Sequence, residues 1–394
     1  MKHHLNQKYV DLIPKLSKDE YVQLESNIIK NGCLDKIKVN NSNTILDGHN
    51  RWKICIANKL DFDVEVLNVG DETDEKIWII NNQFGRRNIG SFTRTELALQ
   101  MEELISSKSN QGKRTDMEPF DNVVKKLNTR EEVAKVAKVS QGNVAKVKKI
   151  KATIKDEKTL SDLRDNKKTI NQVYKDIRKS EIQQERKVIS DAGAKISNSD
   201  KWNVYKDDIS TWKSTKKYDF IITDPPYPKE FLNCFSILSK RAKELLKPNG
   251  LLIVMSGQSY LDEVMKRLSE NMTYYWNGAY MLPGQPTPLR QKQVNTSWKP
   301  IIFYSIDGNY NGKIFGDTFI SDANDKDFHK WGQSVSGMYS LISKICLPGQ
   351  SILDPFCGAS TTGIAALKYG CFYDGIDLLE DNVNISKRRL YDCK

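Results

Sequence analysis

Two short apolar runs, each ending at an Asp-Pro pair, constrain the fold of this chain most. The first, Tyr218 to Thr223, lacks polar alternation and leads directly into Asp224 and Pro225. The second runs from Ser351 to Asp354 and is followed by Pro355. Unbroken apolar runs of this length are typical of strands buried on both faces of a sheet. The chain is therefore predicted to contain a sheet with helices on both faces.

Strand-like and helical stretches alternate throughout residues 191–394, which predicts an α/β, Rossmann-like fold with a mostly parallel sheet. Further predicted strands are Leu251–Met255, Ile301–Tyr304 and Phe372–Ile376. Ligands of such sheets bind at the carboxyl ends of the strands. The two Asp-Pro segments that follow the apolar runs, Asp224-Pro225 and Asp354-Pro355, are called the first and second corner. Both corners are therefore expected to border one ligand site.

The 394 residues exceed the size of a typical single core, and their composition separates three blocks. Residues 1–105 alternate short β-rich pieces with helical stretches, which predicts a small α+β domain. Residues 106–190 begin as a polar linker and continue as a Lys-rich helical block. Residues 191–394 form the third domain.

Positive charge is concentrated in the helical block. The whole chain carries a net charge of +11, and residues 121–190 contain 19 Lys and Arg against 10 Asp and Glu. A concentration of this kind is typical of nucleic-acid binding, and a solvated helical face is the alternative.

Other function classes are disfavoured by composition. No apolar run approaches the roughly 20 residues that span a bilayer, and the first residues lack a secretory pattern. Seven cysteines occur without a Cys-x-x-Cys pair. These features predict a cytoplasmic protein with no membrane partner and no metal site.

Chemistry at the first corner is suggested by Asp224, Pro225, Pro226 and Tyr227. Two prolines fix the backbone rigidly. The Asp224 carboxylate and the Pro225 carbonyl are placed to accept both N–H groups of an exocyclic amine, and Tyr227 offers a ring on which a base taken out of the duplex can stack. The alternative is a simple turn.

A small-residue turn follows the second strand and leads into a helix that ends at Gly370. Such a turn lets the backbone approach a cofactor closely. The next strand ends at Asp377, which is placed to accept hydrogen bonds from ribose hydroxyls. No Gly-x-Gly-x-x-Gly motif is present, so a nicotinamide cofactor is disfavoured.

The pair Asp224-Pro-Pro-Tyr227 and Asp354-Pro-Phe-Cys-Gly-Ala-Ser-Thr361 resembles the catalytic and cofactor motifs of amino-methylating DNA methyltransferases, and their order resembles the beta class. The resemblance covers about residues 200–394. It implies a fold that depends on S-adenosyl-L-methionine and duplex DNA as the substrate. The cofactor-binding residues that it implies are Asp354, Pro355, Phe356, Gly358, Ser360, Thr361 and Asp377, with His329 and Gln333 in a segment similar to one that precedes the cofactor motif.

Two details bear on cofactor and base. The family's cofactor turn usually reads Gly-Ser-Gly, whereas Ser360 stands here in place of the second glycine. The Asp-Pro-Pro-Tyr tetrad is similar to that of the adenine-N6 group, with cytosine-N4 methylation as the alternative. No Pro-Cys dipeptide supplies the nucleophile of a cytosine-C5 enzyme, and Cys357 is interpreted as a small turn residue.

Three further sets of residues are candidates for DNA or nucleotide binding. The irregular run 278–300 carries Arg290 and Lys292 and is interpreted as part of target recognition, with a surface loop as the alternative. The spacing of apolar residues between Val133 and Ile150 predicts a helix-turn-helix that offers Gln141, Asn143 and Lys146 to the major groove; a generic helical hairpin is the alternative.

The third set lies further upstream. Ile45-Leu-Asp-Gly-His-Asn-Arg51 and Phe84-Gly-Arg-Arg-Asn88, together with the helix-turn-helix, resemble the ParB-like nuclease and partition family over residues 8–180. The resemblance implies a nucleotide or phosphate ligand at Asp47, Gly48, His49, Arg51, Arg86 and Arg87. Alternatively, Asp47, His49 and Arg51 only tie a turn together.

These features predict a methyltransferase that modifies N6 of adenine in duplex DNA. The alternatives are cytosine-N4 methylation, an RNA or protein-glutamine acceptor, and a DNA-binding regulatory protein with a non-catalytic methyltransferase fold. A homodimer is an open possibility for the assembly.

Overall fold

The structure, a computed structural model, describes residues 3–85, 89–110, 130–282, 284–321 and 334–393. The chain forms two compact units, Met1–Ser180 and Glu181–Lys394. The division of the first unit at residue 105 stays a prediction. Within the described residues, no helix is both long and apolar enough to cross a membrane.

The first part of unit 1 is a three-stranded sheet with helices. In the strand order β2-β1-β3, β1 is antiparallel to β2 and parallel to β3. The elements are α1 (Gln7–Val10), α2 (Lys18–Asn31), β1 (Cys33–Val39), β2 (Ile45–Asp47), α3 (His49–Asn58), β3 (Phe62–Val66) and α4 (Glu72–Phe84). An α+β arrangement is therefore present where the sequence predicted one, and its relation to ParB-like proteins stays a prediction.

The remaining described residues of unit 1 form mainly helices. They are α5 (Ser91–Asn110), α6 (Arg130–Ala137), α7 (Gln141–Thr153), α8 (Glu157–Arg164) and α9 (Ile170–Gly193), the last of which continues into unit 2. Apolar side chains from each of the helices α4 through α9 pack into one buried cluster. Two helices, α6 and α7, are joined by a turn of three residues in which Lys138 has φ 55° and Ser140 caps α7.

Unit 2 is built on an eight-stranded sheet of order β11-β7-β10-β6-β5-β12-β13-β4, in which only β10 runs against the others. Its strands are β4 (Trp202–Lys206), β5 (Tyr218–Thr223), β6 (Leu246–Met255), β7 (Thr273–Met281), β10 (Trp298–Ser305), β11 (Thr318–Ile320), β12 (Ser351–Asp354) and β13 (Phe372–Asp377). Every predicted strand of this unit lies within an observed one. The α/β fold with a large mixed sheet is confirmed.

Both faces of this sheet are covered, which explains the unbroken apolar runs. Phe220 and Ile222 pack into a cluster with α12 (Val335–Ile345), α13 (Thr361–Tyr369) and α14 (Glu380–Asp392). Ile221 and Leu353 pack into another with α10 (Asn233–Leu245) and α11 (Leu261–Leu268). Alternation of side chains along each strand thus gives each face its own core.

On one side β5 pairs with β6, and β10 is the next strand in the sheet. On its other side β5 pairs with β12, and β13 is the next strand. The strand order therefore reverses between β5 and β12. A reversal of this kind opens a crevice at the carboxyl ends of the two strands. The two Asp-Pro corners lie at these ends.

Candidate active site

The two corners are brought together by direct pairing of their strands. Strand β5 pairs with β12 in parallel, with Ile221 opposite Leu353. This register places Thr223 beside Asp354, and the Thr223 hydroxyl donates a hydrogen bond of 2.7 Å to Oδ1 of Asp354. The sequence predicted this meeting point correctly because both corners end strands of one parallel sheet.

A cleft of about 920 Å³ opens above this edge. Its lining includes Asp224, Pro225, Pro226 and Tyr227 of the first corner, and Asp354, Pro355, Phe356, Gly358, Thr361 and Asp377 from the second corner and the end of β13. Nearly all predicted catalytic and cofactor residues that the structure describes therefore surround one cavity. Ser360 is the exception, because its side chain is buried beneath the turn.

Tyr227 is held at the cleft by contacts with its hydroxyl and its ring. The hydroxyl donates a hydrogen bond to Oδ1 of Asp224. Burial, together with the nearby Asp224 charge, raises the pKa of Tyr227 well above its usual value, so the phenol stays protonated and remains a donor. The ammonium of Lys299 lies over the ring, 5.2 Å from its centroid.

Asp354 is buried beneath the corner, with a fractional exposure of 3%. Its Oδ1 accepts hydrogen bonds from the Thr223 hydroxyl and, at 3.2 Å, from the backbone N–H of Phe356. These bonds favour the charged carboxylate, but burial outweighs them and raises its pKa to about 7. The side chain holds the turn in place and titrates near neutral pH.

Left-handed backbone shapes the turn after β12. Gly358 has φ 54° and Ser360 has φ 53°, a conformation that costs a residue with a Cβ about 1–2 kcal/mol. The buried hydroxyl of Ser360 accepts a hydrogen bond of 3.1 Å from Tyr373. The side chain of Ser360 therefore stabilises the turn, and the contact of Ser360 with the cofactor stays a prediction.

Asp377 ends β13 and faces the cleft. Its Oδ2 accepts from the backbone N–H of Gly358 at 3.0 Å, and its Oδ1 accepts from the backbone N–H of Leu379 at 2.9 Å. Nδ2 of Asn382 also donates to Oδ1, at 3.0 Å. The exposed side chains of Leu378 and Leu379 form an apolar wall beside this carboxylate. A fixed acceptor beside an apolar wall suits a ligand with ribose hydroxyls and a flat ring.

Cys357 is buried in the same turn, and burial raises the pKa of its thiol well above the usual value. A thiol with a raised pKa is a poor nucleophile. The interpretation of Cys357 as a small structural residue fits this environment.

The sequence of this region was compared with known proteins. Residues 218–388 match the family model described as DNA methylase, of the N6/N4 type. This segment, which is less than half of the chain, is similar to DNA methylases of the N6/N4 type. It contains both corners and Asp377.

Curated relatives and solved structures are similar to part of the chain. An Escherichia coli (strain K12) protein named as a methylase, YubD, is 26% identical over 187 residues, which are 44% of this chain and 81% of YubD. The type II methyltransferase M.HinfI of Haemophilus influenzae is 32% identical over 75 residues, which are 19% of this chain and 21% of M.HinfI.

Among solved structures, the M1.HpyAVI–SAM complex is similar with a TM-score of 0.41 and 20% identity, over 48% of this chain and 98% of that one. The cytosine-N4-specific PvuII DNA methyltransferase has a TM-score of 0.41 and 15% identity, over 50% of this chain and 92% of that one.

Other predicted residues of the part 191–394 lie outside the cleft or outside the described residues. Part of the run 278–300, predicted to be irregular, instead forms a ribbon of β8 (Thr287–Leu289) and β9 (Val294–Thr296) beside the cleft. Arg290 and Lys292 are exposed in the turn between these strands. His329 and Gln333 lie outside the described residues.

The sequence reasoning missed the cleft residues Gly257, Lys299 and Asn382. It also missed Thr223, whose hydroxyl bonds to Asp354 beside the cleft. Gly257 packs closely against Tyr227, since a Cβ there would lie 3.3 Å from its ring. Lys299 lies two residues before the predicted strand Ile301–Tyr304, and this local pattern does not connect it to Tyr227. Nothing in the sequence distinguishes Thr223 or Asn382.

The residues of α7 that were predicted to contact DNA lie in unit 1. Gln141 is exposed and Asn143 is half-buried. Lys146 donates a hydrogen bond of 2.7 Å to Oδ1 of Asn171, and its ammonium lies over the Tyr174 ring. Their contact with DNA stays a prediction.

A second cavity of about 410 Å³, within unit 1, is lined by Asp47, Gly48, His49 and Arg51. Gly48 has φ 89° immediately before α3, and Nη2 of Arg51 donates to Oδ2 of Asp47 at 3.2 Å. The Asp47–Arg51 pair fits both a ligand site and a tied turn. Arg86 and Arg87 lie outside the described residues.

Proposed function

We propose that this protein transfers a methyl group from S-adenosyl-L-methionine to an exocyclic amine of a base in duplex DNA, namely N6 of adenine. The observation that carries the proposal is the meeting of the Asp224–Tyr227 corner and the Asp354–Asp377 wall at one cleft. An amine acceptor and a ribose acceptor that line one cleft suit a reaction between a base and a nucleoside cofactor.

The residues of the cleft fit the cofactor. Asp377 is held by three donors and faces the cavity, so it suits the ribose hydroxyls. Leu378, Leu379 and Phe356 suit the adenine ring, and the small turn at Gly358 leaves room for the backbone to approach the ligand. When bound, S-adenosyl-L-methionine supplies an electrophilic methyl group on a sulfonium.

Asp224 and Pro225 act on the base. An exocyclic amine is a weak nucleophile because its lone pair is delocalised into the ring. The Asp224 carboxylate and the Pro225 carbonyl accept its two N–H bonds and localise the lone pair toward the methyl group. Tyr227 stacks on the base, which must leave the duplex to reach the cleft. Lys299 must move off the Tyr227 ring if the base stacks on the face that it covers.

Duplex DNA as the partner is supported by charge and by the ribbon. Arg290 and Lys292 lie in an exposed turn beside the cleft, and a two-stranded ribbon fits the major groove. Gln141, Asn143 and Lys146 would add contacts through α7. A nucleotide or phosphate at the second cavity, and a homodimer, belong to the same proposal.

Transfer of labelled methyl groups tests the function. The protein is incubated with radiolabelled S-adenosyl-L-methionine and unmodified duplex DNA, the DNA is digested, and the labelled nucleoside is identified. We expect N6-methyladenine. Asp224→Ala should lower the rate by about 10²- to 10³-fold, because a preorganised acceptor is lost, whereas Asp262→Ala, an exposed aspartate on α11, should not change it.

Each alternative function predicts a different result of the methyl-transfer assay. Label in N4-methylcytosine would change the base to cytosine. Label that enters only RNA or a protein glutamine would replace the acceptor. Binding of cofactor and DNA without any transfer would contradict the proposal in favour of a regulatory protein.

A further inference from the structure

The C-terminal part of α9 packs against α14, the helix that follows β13. Strand β13 ends at Asp377. Nη2 of Arg186 donates a hydrogen bond of 2.9 Å to Oδ1 of Asn382, and the Ser190 hydroxyl donates one of 2.9 Å to Asp381. At Gly193 the backbones approach so closely that a Cβ would lie 1.8 Å from the carbonyl oxygen of Asn384. These residues of α9 lie outside the segment 218–388 that matches the methylase family.

Asn382 links Arg186 to the cleft. Its Oδ1 accepts from Arg186, and its Nδ2 donates to Asp377. A guanidinium can only donate and a carboxylate can only accept, so this pair of neighbours permits one orientation of the amide. In the opposite orientation, the amide oxygen would face the carboxylate and the amide NH₂ would face the guanidinium.

Orientation of Asn382 determines how firmly Asp377 is held. An ionised carboxylate accepts about four hydrogen bonds. Asp377 accepts three from the protein, and Oδ1 takes two of them. The Asn382 bond therefore fixes the carboxylate with Oδ2 as the oxygen that has capacity left for a ligand hydroxyl.

We propose that Arg186 is a positioning residue for the ribose of the cofactor: it orients the Asn382 amide, which in turn orients Asp377. The inference rests on the proposed binding of S-adenosyl-L-methionine. It makes a helix upstream of the methylase segment part of the cofactor site, and it assigns that helix a role that the family match does not contain.

Binding of S-adenosylhomocysteine, measured by calorimetry, tests the role of Arg186. Arg186→Met keeps an apolar, unbranched stem and removes the guanidinium donors. We expect an affinity about tenfold weaker, which corresponds to one lost hydrogen bond to a charged group. Lys187→Met, at the next and exposed position of the same helix, is the matched control and should bind as the wild type does.

A ligand without ribose hydroxyls separates positioning from general loss of structure. The 2′,3′-dideoxy analogue of S-adenosylhomocysteine should bind the wild type and Arg186→Met equally, and Arg186→Lys should recover part of the affinity for the hydroxylated ligand. Asn382→Ala should lose as much as Arg186→Met, and the double variant should lose no more than either single variant.

Two results would overturn the inference. Equal affinity of wild type and Arg186→Met for S-adenosylhomocysteine would show that Arg186 does not act on the site. An equal loss for the hydroxylated and the dideoxy ligands would show that the role is only structural. A wild-type protein that binds neither ligand would instead overturn the proposed function, and the inference with it.

Discussion

Replacement of Asp354 by Asn should change how the stability of the protein depends on pH. The buried carboxyl has a pKa of about 7, against 3.8 for an ordinary Asp, because burial disfavours its charged form. Asn keeps an oxygen that can accept from Thr223 and from Phe356, since both donate to the same atom, Oδ1. The hydroxyl of Thr362 also bonds to the carboxyl, and it can rotate to accept from the Asn amide. The substitution therefore removes the titration while each of these three partners keeps a hydrogen bond.

The raised pKa determines whether the protein becomes more or less stable as the pH rises. The folded state binds the proton more tightly than the unfolded state, so the stabilisation is fully present below pH 3.8 and is lost as the pH rises through 7. A shift of about three pKa units corresponds to about 4 kcal/mol over the whole range, and about 2–3 kcal/mol of it falls between pH 5 and pH 7.

Urea denaturation at several pH values from 5 to 8 measures the effect. The difference in unfolding free energy between wild type and Asp354→Asn cancels the titration of all other groups. We expect the wild type to lose about 2–3 kcal/mol relative to the variant between pH 5 and pH 7. Parallel pH profiles would refute the argument that Asp354 titrates near neutral pH.

Three further substitutions test the turn and the stacking ring. Gly363→Ala should lower the free energy of unfolding by about 1–3 kcal/mol in thermal or urea denaturation, because its Cβ would lie 2.5 Å from the buried Tyr373 ring; an unchanged stability would contradict this packing. Ser360→Gly should be about 1–2 kcal/mol more stable than Ser360→Ala, because both lose the hydroxyl and only Gly relieves the left-handed backbone; equal stabilities would exclude strain at this position. Tyr227→Ala should raise the KM for DNA about 5- to 150-fold through loss of base stacking, whereas Tyr227→Phe should raise it much less; equal effects of the two substitutions in a steady-state assay would assign the role to the hydroxyl.

The sequence predicted the parts of the site that depend on local pattern. Asp224 and Asp354 each follow or end an apolar strand, and strand ends of one parallel sheet meet at one edge. Asp377 was predicted for the same reason. The fold of the second unit followed from the alternation of strands and helices.

Other parts depend on contacts between distant segments. Arg186 and Asn382 are 196 positions apart in the chain, so no local pattern connects them. Lys299 reaches the Tyr227 ring only because β10 lies beside β6 in the sheet. The run 278–300 was predicted as irregular because its Gly and Pro residues obscured two short strands.

A crystal structure with an amine analogue of the cofactor tests the central claim most directly. Sinefungin carries an amine where S-adenosyl-L-methionine carries the transferable methyl group. We expect its ribose hydroxyls on Asp377 and its amine within about 3 Å of the Asp224 carboxylate or the Pro225 carbonyl. An analogue bound outside the cleft, or one whose amine points away from the Asp224 corner, would contradict the account.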